Sequence, residues 1–474
     1  MAHVAVDRVD DAIGKGIERL VRSHHRRRLA RIGWERAFKA PAGGWASGEP
    51  GPRAGNAIEL LVDGEEALPR VEEAIAGARS SVRLAGWTFT PSFRCSRGGP
   101  TLRELLADVA GRADVRVLAW AGAPLPLFHP SRAEVREMRD ALARGTRIRV
   151  GLDAKERPMH CHHEKLVVVD GRMAFIGGID LTSLGGDRLD SSEHPARGSV
   201  GWHDAALRIE GPLVADVRDH FDLRWREIVG SAPPPTEPAS HTGAYTAQLV
   251  RTVPEHVYDE LPRGDFRILE SYVRALRSAE RLVYLESQFL WSSELVEILV
   301  AKLRDPPSDE FRVVVLLPAR PNNGADDTRG QLGVLVDADR DDRLLACTLY
   351  QPGDARQVYV HAKVCVVDDR VLILGSANLN EHSLFNDTEV CVVSHDEKLA
   401  RSARLRLWRE HLERDDVDGH HARVVEEVWK PLAEENAERR RRGEHVAHRL
   451  SILPHVSRRS RAFLGPVQSL LVDG

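Results

Sequence analysis

The sequence predicts an α/β protein made of two similar α-β-α halves, each built on a mixed sheet and packed together as a pseudo-twofold dimer. Short apolar segments without alternation are interleaved with amphipathic segments, a pattern typical of strands covered by helices on both faces. The chain also repeats itself, because blocks of similar sequence recur in the same order in its two parts. Duplicated units usually pack about a twofold axis, which brings equivalent strand ends together.

The internal repeat consists of four blocks. The first is an apolar strand that runs into an aromatic-bearing turn, and the second is another apolar strand. The third carries a His-x-Lys motif followed by a strand, a turn and a Gly-rich segment, and the fourth is a strand led by an acidic residue. The matching blocks are 81–91 with 282–291, 115–120 with 313–318, 163–183 with 361–381, and 202–211 with 387–396.

Breaks in composition divide the chain around these repeats. The loop APAGGWASGEPGPRAG is rich in Gly and Pro, and SAPPPTEPAS contains consecutive prolines that continue neither a helix nor a central strand. The segment after about residue 413 is charged and helical in pattern. We expect a basic N-terminal helix and loop at 1–50, a first half at 51–230, a linker at 231–240, a second half at 241–412 and a charged extension at 413–474.

Charge and cysteine content exclude several classes of function. The formal net charge of -4 provides no global positive field for nucleic acid. The five cysteines are scattered and form no CxxC pair, which argues against a disulfide framework and a zinc site. No stretch approaches the roughly 18 apolar residues of a membrane span, and the N-terminus lacks a secretory apolar region. We expect a cytoplasmic protein that touches membrane only at its surface.

The motif His-x-Lys-x-x-x-x-Asp is the core of the third block. On a strand, the His and the Lys two residues later point to the same face, so an imidazole and an ammonium line one surface. The Asp lies five residues after the Lys, on the opposite face and at a turn, and within the candidate catalytic set we assign it a structural role at that turn. The two copies are His163/Lys165/Asp170 and His361/Lys363/Asp368.

Groups around the motif suit a phosphodiester anion. Gly178 and Ser376 occupy matching places in the segments after the second strand, and Asn378 supplies an amide donor beside them. With two histidines and two lysines, these candidate phosphate ligands form a cationic pocket rich in donors. Asp204 and Glu389 occupy equivalent places in the two halves and are candidates for orienting the histidines. The sequence leaves open which acid serves which histidine.

Two histidines in one pocket are sufficient for phosphodiester cleavage. One neutral imidazole attacks phosphorus and forms a phosphohistidine, while the other protonates the leaving oxygen and later deprotonates the acceptor. We therefore expect no cofactor and no metal, because the sequence offers no carboxylate cluster for an ion. His160 and His162 next to the first motif are interpreted as part of a surface turn rather than as metal ligands.

These blocks resemble the phospholipase D superfamily, over roughly residues 55–412. CHHEKLVVVDGRMAFIGGIDLT and WHDAALRIEGP resemble its first catalytic region, and YLESQFLWS, VHAKVCVVDDRVLILGSANLNEHSL and DTEVCV resemble its second. The resemblance implies a metal-independent phosphohistidine mechanism with His163 as the nucleophile and His361 as the general acid. The chain departs from the family pattern at Glu164, where Gln is frequent, at His382, where Arg is common, and in the loop 184–199.

The leading expectation is a phospholipase D that hydrolyses a glycerophospholipid at a membrane surface, with water or an alcohol as acceptor. A phosphatidyltransferase of the cardiolipin synthase type shares the covalent intermediate and is the alternative. A nuclease is disfavoured by the net charge, and a non-enzymatic scaffold by the two intact motifs. The basic segments 22–39 and Arg439–Arg442 fit docking on anionic lipid and a solvated helix face equally well. Headgroup and oligomeric state stay open.

Overall fold

The computed structural model of the chain describes residues 19–125, 128–158, 160–184, 201–236, 239–321, 325–353 and 356–453. It is a mixed α/β protein with two mixed sheets that share one strand. The strands of the first part are β1 (Arg53–Val62), β2 (Ser81–Gly86), β3 (Asp114–Trp120), β4 (Arg149–Asp153), β5 (Leu166–Val169), β6 (Met173–Gly177), β7 (Gly201–His203) and β8 (Ala205–Glu210). The strands of the second part are β9 (Tyr245–Val253), β10 (Asp265–Phe266), β11 (Leu282–Glu286), β12 (Arg312–Leu316), β13 (Leu344–Tyr350), β14 (Gln357–Val360), β15 (Val364–Val367), β16 (Val371–Gly375), β17 (Glu389–Ser394) and β18 (Leu450–Ile452).

The two sheets have the same strand order. In the first, β2, β3 and β4 pair in parallel, and β5, β6, β8 and β1 continue from β2 in antiparallel succession. In the second, β11, β12 and β13 pair in parallel, and β15, β16, β17 and β9 continue from β11 in the same way. The predicted α/β fold with two similar halves is confirmed by this correspondence.

Two strand pairings join the halves. β1 pairs with β9, so the last strand of the first sheet is also bonded to the last strand of the second. β7 pairs in parallel with β14, and this pairing brings the residues around position 203 next to those around position 360. The second His-x-Lys motif is thereby drawn towards Asp204, and an isolated bridge between His162 and Thr388 likewise draws the first motif towards Glu389.

Helices cover the sheets, and some of them begin at a side-chain cap that the sequence supplies. The helix that starts after Thr101 and the one that starts after Ser131 both have a capping box, in which a Glu three residues on returns the hydrogen bond. The helices are α1 (19–31), α2 (Glu35–Lys39), α3 (Asp63–Ala76), α4 (Leu102–Ala110), α5 (Arg132–Ala143), α6 (Leu213–Val229), α7 (Arg267–Ser278), α8 (Ser293–Arg304), α9 (Ala325–Ala338), α10 (Glu381–Phe385), α11 (Glu397–Leu412), α12 (His421–Val424) and α13 (Lys430–Arg441). A π-helical turn, Val425–Trp429, makes α12 and α13 continuous.

The largest core lies between the halves. It contains side chains of both sheets together with α6 and α11, and tryptophans from each half, Trp225 and Trp408, are fully buried in it. Separate apolar clusters lie under the outer helices of each half. Strands such as β2, β15 and β17 are buried along their whole length, which is why their sequences show apolar runs without alternation.

Part of the basic N-terminal segment forms ion pairs with acidic residues of the second half. Arg22 and Arg26 on α1 form ion pairs with Glu294, and Arg28 pairs with Glu255 at 2.7 Å. Residues 1–18 and most of the loop 184–199 lie outside the described residues. Among the described residues, none of the helices is long and apolar enough to cross a membrane.

Candidate active site

Each motif histidine is held by the backbone of the opposite half. The N–H groups of His163 and Glu164 both donate to the Thr388 carbonyl at 3.0 Å, and the N–H groups of His361 and Ala362 both donate to the His203 carbonyl. The His-x-Lys segments precede β5 and β15 rather than lying within them, which corrects the expectation that they are on a strand. Their placement comes from these cross-half bonds.

The orienting acids are also exchanged between the halves. The Nδ1 atom of His163 lies 3.0 Å from Glu389 Oε1, and that of His361 lies 2.7 Å from Asp204 Oδ2. The structure thereby assigns the two acids that the sequence left unassigned. An acid on Nδ1 fixes the ring and leaves the chemistry to Nε2.

The motif lysines complete the pocket. Lys165 donates to the His163 carbonyl at 2.8 Å and pairs with Asp180 at 3.0 Å. Lys363 donates to the carbonyl of His361 and lies 3.4 Å from Gln288 Oε1. All four His and Lys side chains of the motifs are buried. Two ammonium groups in a pocket with so little solvent are suited to bind an anion.

The electrostatics of the two His–acid pairs differ. Burial and, to a smaller extent, Lys363 together lower the pKa of His361 to about 3, against the opposing effect of Asp204. Burial alone would raise the pKa of Asp204, but His361 and Lys363 bring it below its ordinary value. Burial raises the pKa of Glu389 to about 8, although Lys165 and two hydroxyl groups oppose this rise. Asp204 is thus ionised at neutral pH, whereas Glu389 holds its proton more tightly.

The candidate phosphate ligands have different positions from those expected. The Ser376 hydroxyl donates to Glu389, as does that of Ser383 at 2.7 Å, so Ser376 supports the acid. A Cβ on Gly178 would lie 2.1 Å from Asp204 Oδ1, so this glycine allows the acid to approach. Asn378 Nδ2 lies 3.4 Å from Gln288 Oε1, and its own Oδ1 is buried without a hydrogen-bond partner among the described residues. Asn378 remains the candidate ligand of the three through its Nδ2 donor, since Oδ1 is an acceptor and does not bind an anion.

The motif aspartates lie away from the motif histidines. Asp170 accepts hydrogen bonds from the backbone N–H groups of Arg79, Ser80 and Ser81, before β2. Asp368 accepts from those of Glu280, Arg281 and Leu282, before β11. Both have positive φ angles, near 53° and 54°, in the turns after β5 and β15. This geometry corresponds to a structural role, and it places both aspartates at the far ends of these strands from the catalytic pocket.

A buried polar network lies behind His163, and the sequence pattern did not predict it. His162 is not in a surface turn, because its ring is buried, with Nε2 3.0 Å from Asp153 and Nδ1 2.8 Å from the Thr388 hydroxyl. Glu164 is bonded to Arg224 and lies 2.6 Å from His220, away from the pocket. The second half of the chain packs over these polar residues. The residue pattern of a single strand does not show that another part of the chain will bury it.

A second network lies under Asp204. His203 is bonded through Nδ1 to Asp63 and through Nε2 to Glu286, each at 2.9 Å, and Glu286 also lies 2.9 Å from His411. The Asp204 N–H donates to the same Asp63 carboxylate at 2.9 Å. This network fixes the link between β7 and β8 that carries Asp204, and the carbonyl that holds His361. The triplet WHD was the only sequence signal for it.

Comparison with known proteins supports a single family. Residues 272–410 match the family model described as "Cardiolipin synthase, PLD-like domain". The chain is 24% identical to Phospholipase D A of Dictyostelium discoideum over 75% of its length, and 24% identical to phospholipase D alpha 4 of Arabidopsis thaliana over 72%. It is 26% identical to cardiolipin synthase A of Pseudomonas entomophila (strain L48) over 73%.

The matched proteins are longer than this chain. The alignments span 35% of the Dictyostelium protein, 62% of the Arabidopsis protein and 67% of the Pseudomonas protein. Among solved structures, phosphatidylserine synthase of Haemophilus influenzae Rd KW20 superimposes with a TM-score of 0.51 over 83% of this chain and 90% of its own, at 12% identity. That similarity supports the fold.

Proposed function

The chain belongs to the phospholipase D superfamily, and from that premise we propose that it is a phospholipase D, which hydrolyses glycerophospholipids to phosphatidate and the headgroup alcohol. The observation that carries the proposal is the crossed pairing of His163 with Glu389 and of His361 with Asp204 at one buried site that also holds Lys165 and Lys363. One histidine from each half reaches the same substrate phosphate in such an arrangement.

The first step is attack on phosphorus. The lone pair of His163 Nε2 forms a P–N bond while the bond from phosphorus to the headgroup oxygen breaks, and His361 gives its Nε2 proton to that oxygen. Lys165 and Lys363 neutralise charge on the non-bridging oxygens. In the second step His361 removes a proton from water, the water oxygen attacks phosphorus, the P–N bond breaks and phosphatidate leaves.

The unequal acids support this division of roles. An ionised Asp204 stabilises positive charge on His361, as a general acid requires. In the empty pocket burial and the lysines keep His361 neutral, and a bound phosphodiester anion offsets the lysines and raises the pKa of its imidazole. Glu389 carries less negative charge at neutral pH, so it favours a neutral His163 with its lone pair available.

A phosphatidyltransferase is the second candidate. The matching family model is described as cardiolipin synthase, and the aligned region covers 67% of the Pseudomonas relative, which bears that name. Such an enzyme uses the same first step and resolves the phosphohistidine with a lipid alcohol. The two reactions therefore differ in the acceptor that reaches phosphorus.

Product analysis separates these functions. The purified protein is incubated with vesicles of phosphatidylcholine, phosphatidylethanolamine or phosphatidylglycerol, with and without a primary alcohol, and with single-stranded DNA. We expect phosphatidate in water and the phosphatidyl alcohol when alcohol is added. Cardiolipin as the main product from phosphatidylglycerol would establish the transferase, and faster cleavage of DNA would contradict a lipid substrate. His163→Asn is the inactive variant, and His129→Asn, at an exposed position, is the matched control.

We further propose that the protein works at the cytoplasmic surface of a membrane. Arg27 and Arg31 on α1 are exposed, so their charge is available to anionic lipid. The charges of Arg22 and Arg28 are instead engaged in ion pairs. Sedimentation with vesicles with and without anionic lipid tests this docking. Equal binding of Arg27→Gln/Arg31→Gln and wild-type protein would contradict it.

A further inference from the structure

A group of metal-ligating side chains lies beside the catalytic pocket and takes no part in the proposed reaction. His160 Nδ1 is 3.0 Å from His382 Nδ1 and 3.4 Å from Asp387 Oδ1. The three ligand atoms all lie within 4.8 Å of one another. His160 comes from the segment before β5, whereas His382 and Asp387 lie at the beginning of α10 and just before β17, so the group spans both halves.

The spacing suits a four-coordinate divalent ion. Zinc–nitrogen and zinc–oxygen bonds of about 2.0–2.2 Å give tetrahedral edges of roughly 3.3–3.5 Å. The edges of 3.0 and 3.4 Å between His160 and the other two ligands reach these values after shifts of a few tenths of an ångström. Two imidazole nitrogens and one carboxylate oxygen form a three-ligand set that leaves a position open for water.

Hydrogen bonding within this group is incomplete. Two Nδ1 atoms that face each other share one proton, and both lone pairs become available to a cation once that proton is lost or moves to Nε2. Asp387 is fully buried, and its Oδ2 has no hydrogen-bond partner among the residues that the structure describes. His382 is also fully buried, and its Nε2 has no described partner. His160 is partly exposed and offers an entry path.

The other three-residue histidine and carboxylate groups in the described chain share His203, whose ring nitrogens are already paired with carboxylates. In the group of His203, Glu286 and His411, the imidazole nitrogens of His203 are both bonded to carboxylates at 2.9 Å, and Glu286 bridges to His411. The ligand atoms there already satisfy each other. A cation at that position would have to displace ion pairs at no gain in ligand number.

We propose that His160, His382 and Asp387 bind one divalent transition-metal ion of the zinc type. The ion joins the segment that carries the nucleophile His163 to the segment that carries its partner Glu389, two residues after Asp387. Ser383, which donates to Glu389, directly follows His382. The bound ion therefore acts as a clamp between the halves, and its binding does not depend on which phosphodiester the enzyme cleaves.

Cobalt(II) provides the direct test, because it reports ligand type without an activity measurement. The chelator-treated full-length protein is titrated with Co²⁺, and visible d–d bands and paramagnetically shifted imidazole proton signals are recorded. We expect one equivalent of Co²⁺ to bind with two coordinated imidazoles, and Zn²⁺ to compete for the same site. His382→Asn and Asp387→Asn should each weaken binding by more than about 100-fold, beyond the loss typical of an outer-sphere change.

Controls separate lost ligation from lost folding. His129→Asn removes an exposed histidine that lies 2.9 Å from Glu134, and it should bind Co²⁺ as the wild type does. Circular dichroism confirms that each variant is folded, and the wild-type midpoint of thermal unfolding should rise on Zn²⁺ addition. Wild-type protein without stoichiometric Co²⁺ binding, or His382→Asn and Asp387→Asn variants with unchanged spectra, would overturn the proposal. A phospholipase assay that fails while Co²⁺ binds as expected would affect only the proposed reaction.

Discussion

The Nδ1 atom of His163 lies 3.0 Å from Oε1 of Glu389, a residue 226 positions further along the chain. The reciprocal pair runs in the other direction, since His361 meets Asp204, 157 positions before it. Each half therefore supplies the imidazole of one pair and the acid of the other. Each motif histidine is oriented only when both halves are in place.

The nucleophile should be identifiable by trapping. With a phosphodiester whose leaving group needs no protonation, such as a nitrophenyl ester, His361→Asn should still form an acid-labile phosphoryl adduct, because only the general acid is lost. His163→Asn should form none. Mass spectrometry of rapidly quenched protein locates the adduct, and an adduct on His361 in the wild type would reverse the assigned roles.

Removal of the charge on Asp204 should impair the general acid. Asp204→Asn keeps the shape of the side chain but no longer stabilises an imidazolium at His361, so kcat should fall by about 100-fold or more. Steady-state kinetics with a natural phospholipid measures the loss, and the nitrophenyl ester should be affected much less. Asp219→Asn, at an exposed site of α6, is the control. An equal loss with both substrates would argue for damage to the fold.

The alkaline limb of the pH profile should depend on substrate binding. In the empty pocket burial and Lys363 lower the pKa of His361, so the free enzyme loses this proton at low pH. A bound phosphodiester anion raises that pKa, and the protonated form persists to higher pH. The alkaline limb of kcat should therefore lie at higher pH than that of kcat/KM. Coincident limbs, or a rate that is flat from pH 5 to 9, would contradict the two-histidine scheme.

Glu389 should make folding stability depend on pH. Its pKa is about 8 in the folded protein and about 4.3 when unfolded, so the folded state holds the proton more tightly. The contribution of this group to stability is therefore lost as pH rises from about 4.3 to about 8, at up to roughly 1.4 kcal/mol per unit. Glu389→Gln lacks this dependence. As pH rises from 5 to 8, the free energy of unfolding in urea should therefore fall for the wild type relative to the variant. A wild-type-to-variant difference that is constant with pH would disprove the shift.

Asp170 should matter for stability and not for chemistry. Asp170→Ala leaves the N–H groups of Arg79, Ser80 and Ser81 without their acceptor, at a cost of about 1–3 kcal/mol in unfolding free energy. Urea unfolding measures this cost. The pH profile of kcat in the folded fraction should match the wild type, and a variant of normal stability that had lost kcat would place this aspartate in the reaction.

The fold and most of the site were predictable because the internal repeat is visible as matching sequence blocks. Apolar runs and matching blocks define both sheets, and the motif spacing identifies His163, Lys165 and their counterparts. The cross-half contacts were not predictable, since the choice between Asp204 and Glu389 for a given histidine depends on how β7 pairs with β14. For the same reason His162 was expected at a surface, where the second half in fact covers it.

The exchange of acids also sets an order of events during synthesis. A ribosome that has released residue 163 has not yet made residue 389, so the emerging first half carries a nucleophile without the acid that orients it. Catalytic competence arrives only after the strand that begins at Glu389 has joined the sheet. Under the proposed function, a nascent chain that ends before Glu389 cannot cleave phospholipid, and products truncated before that residue are inert as well.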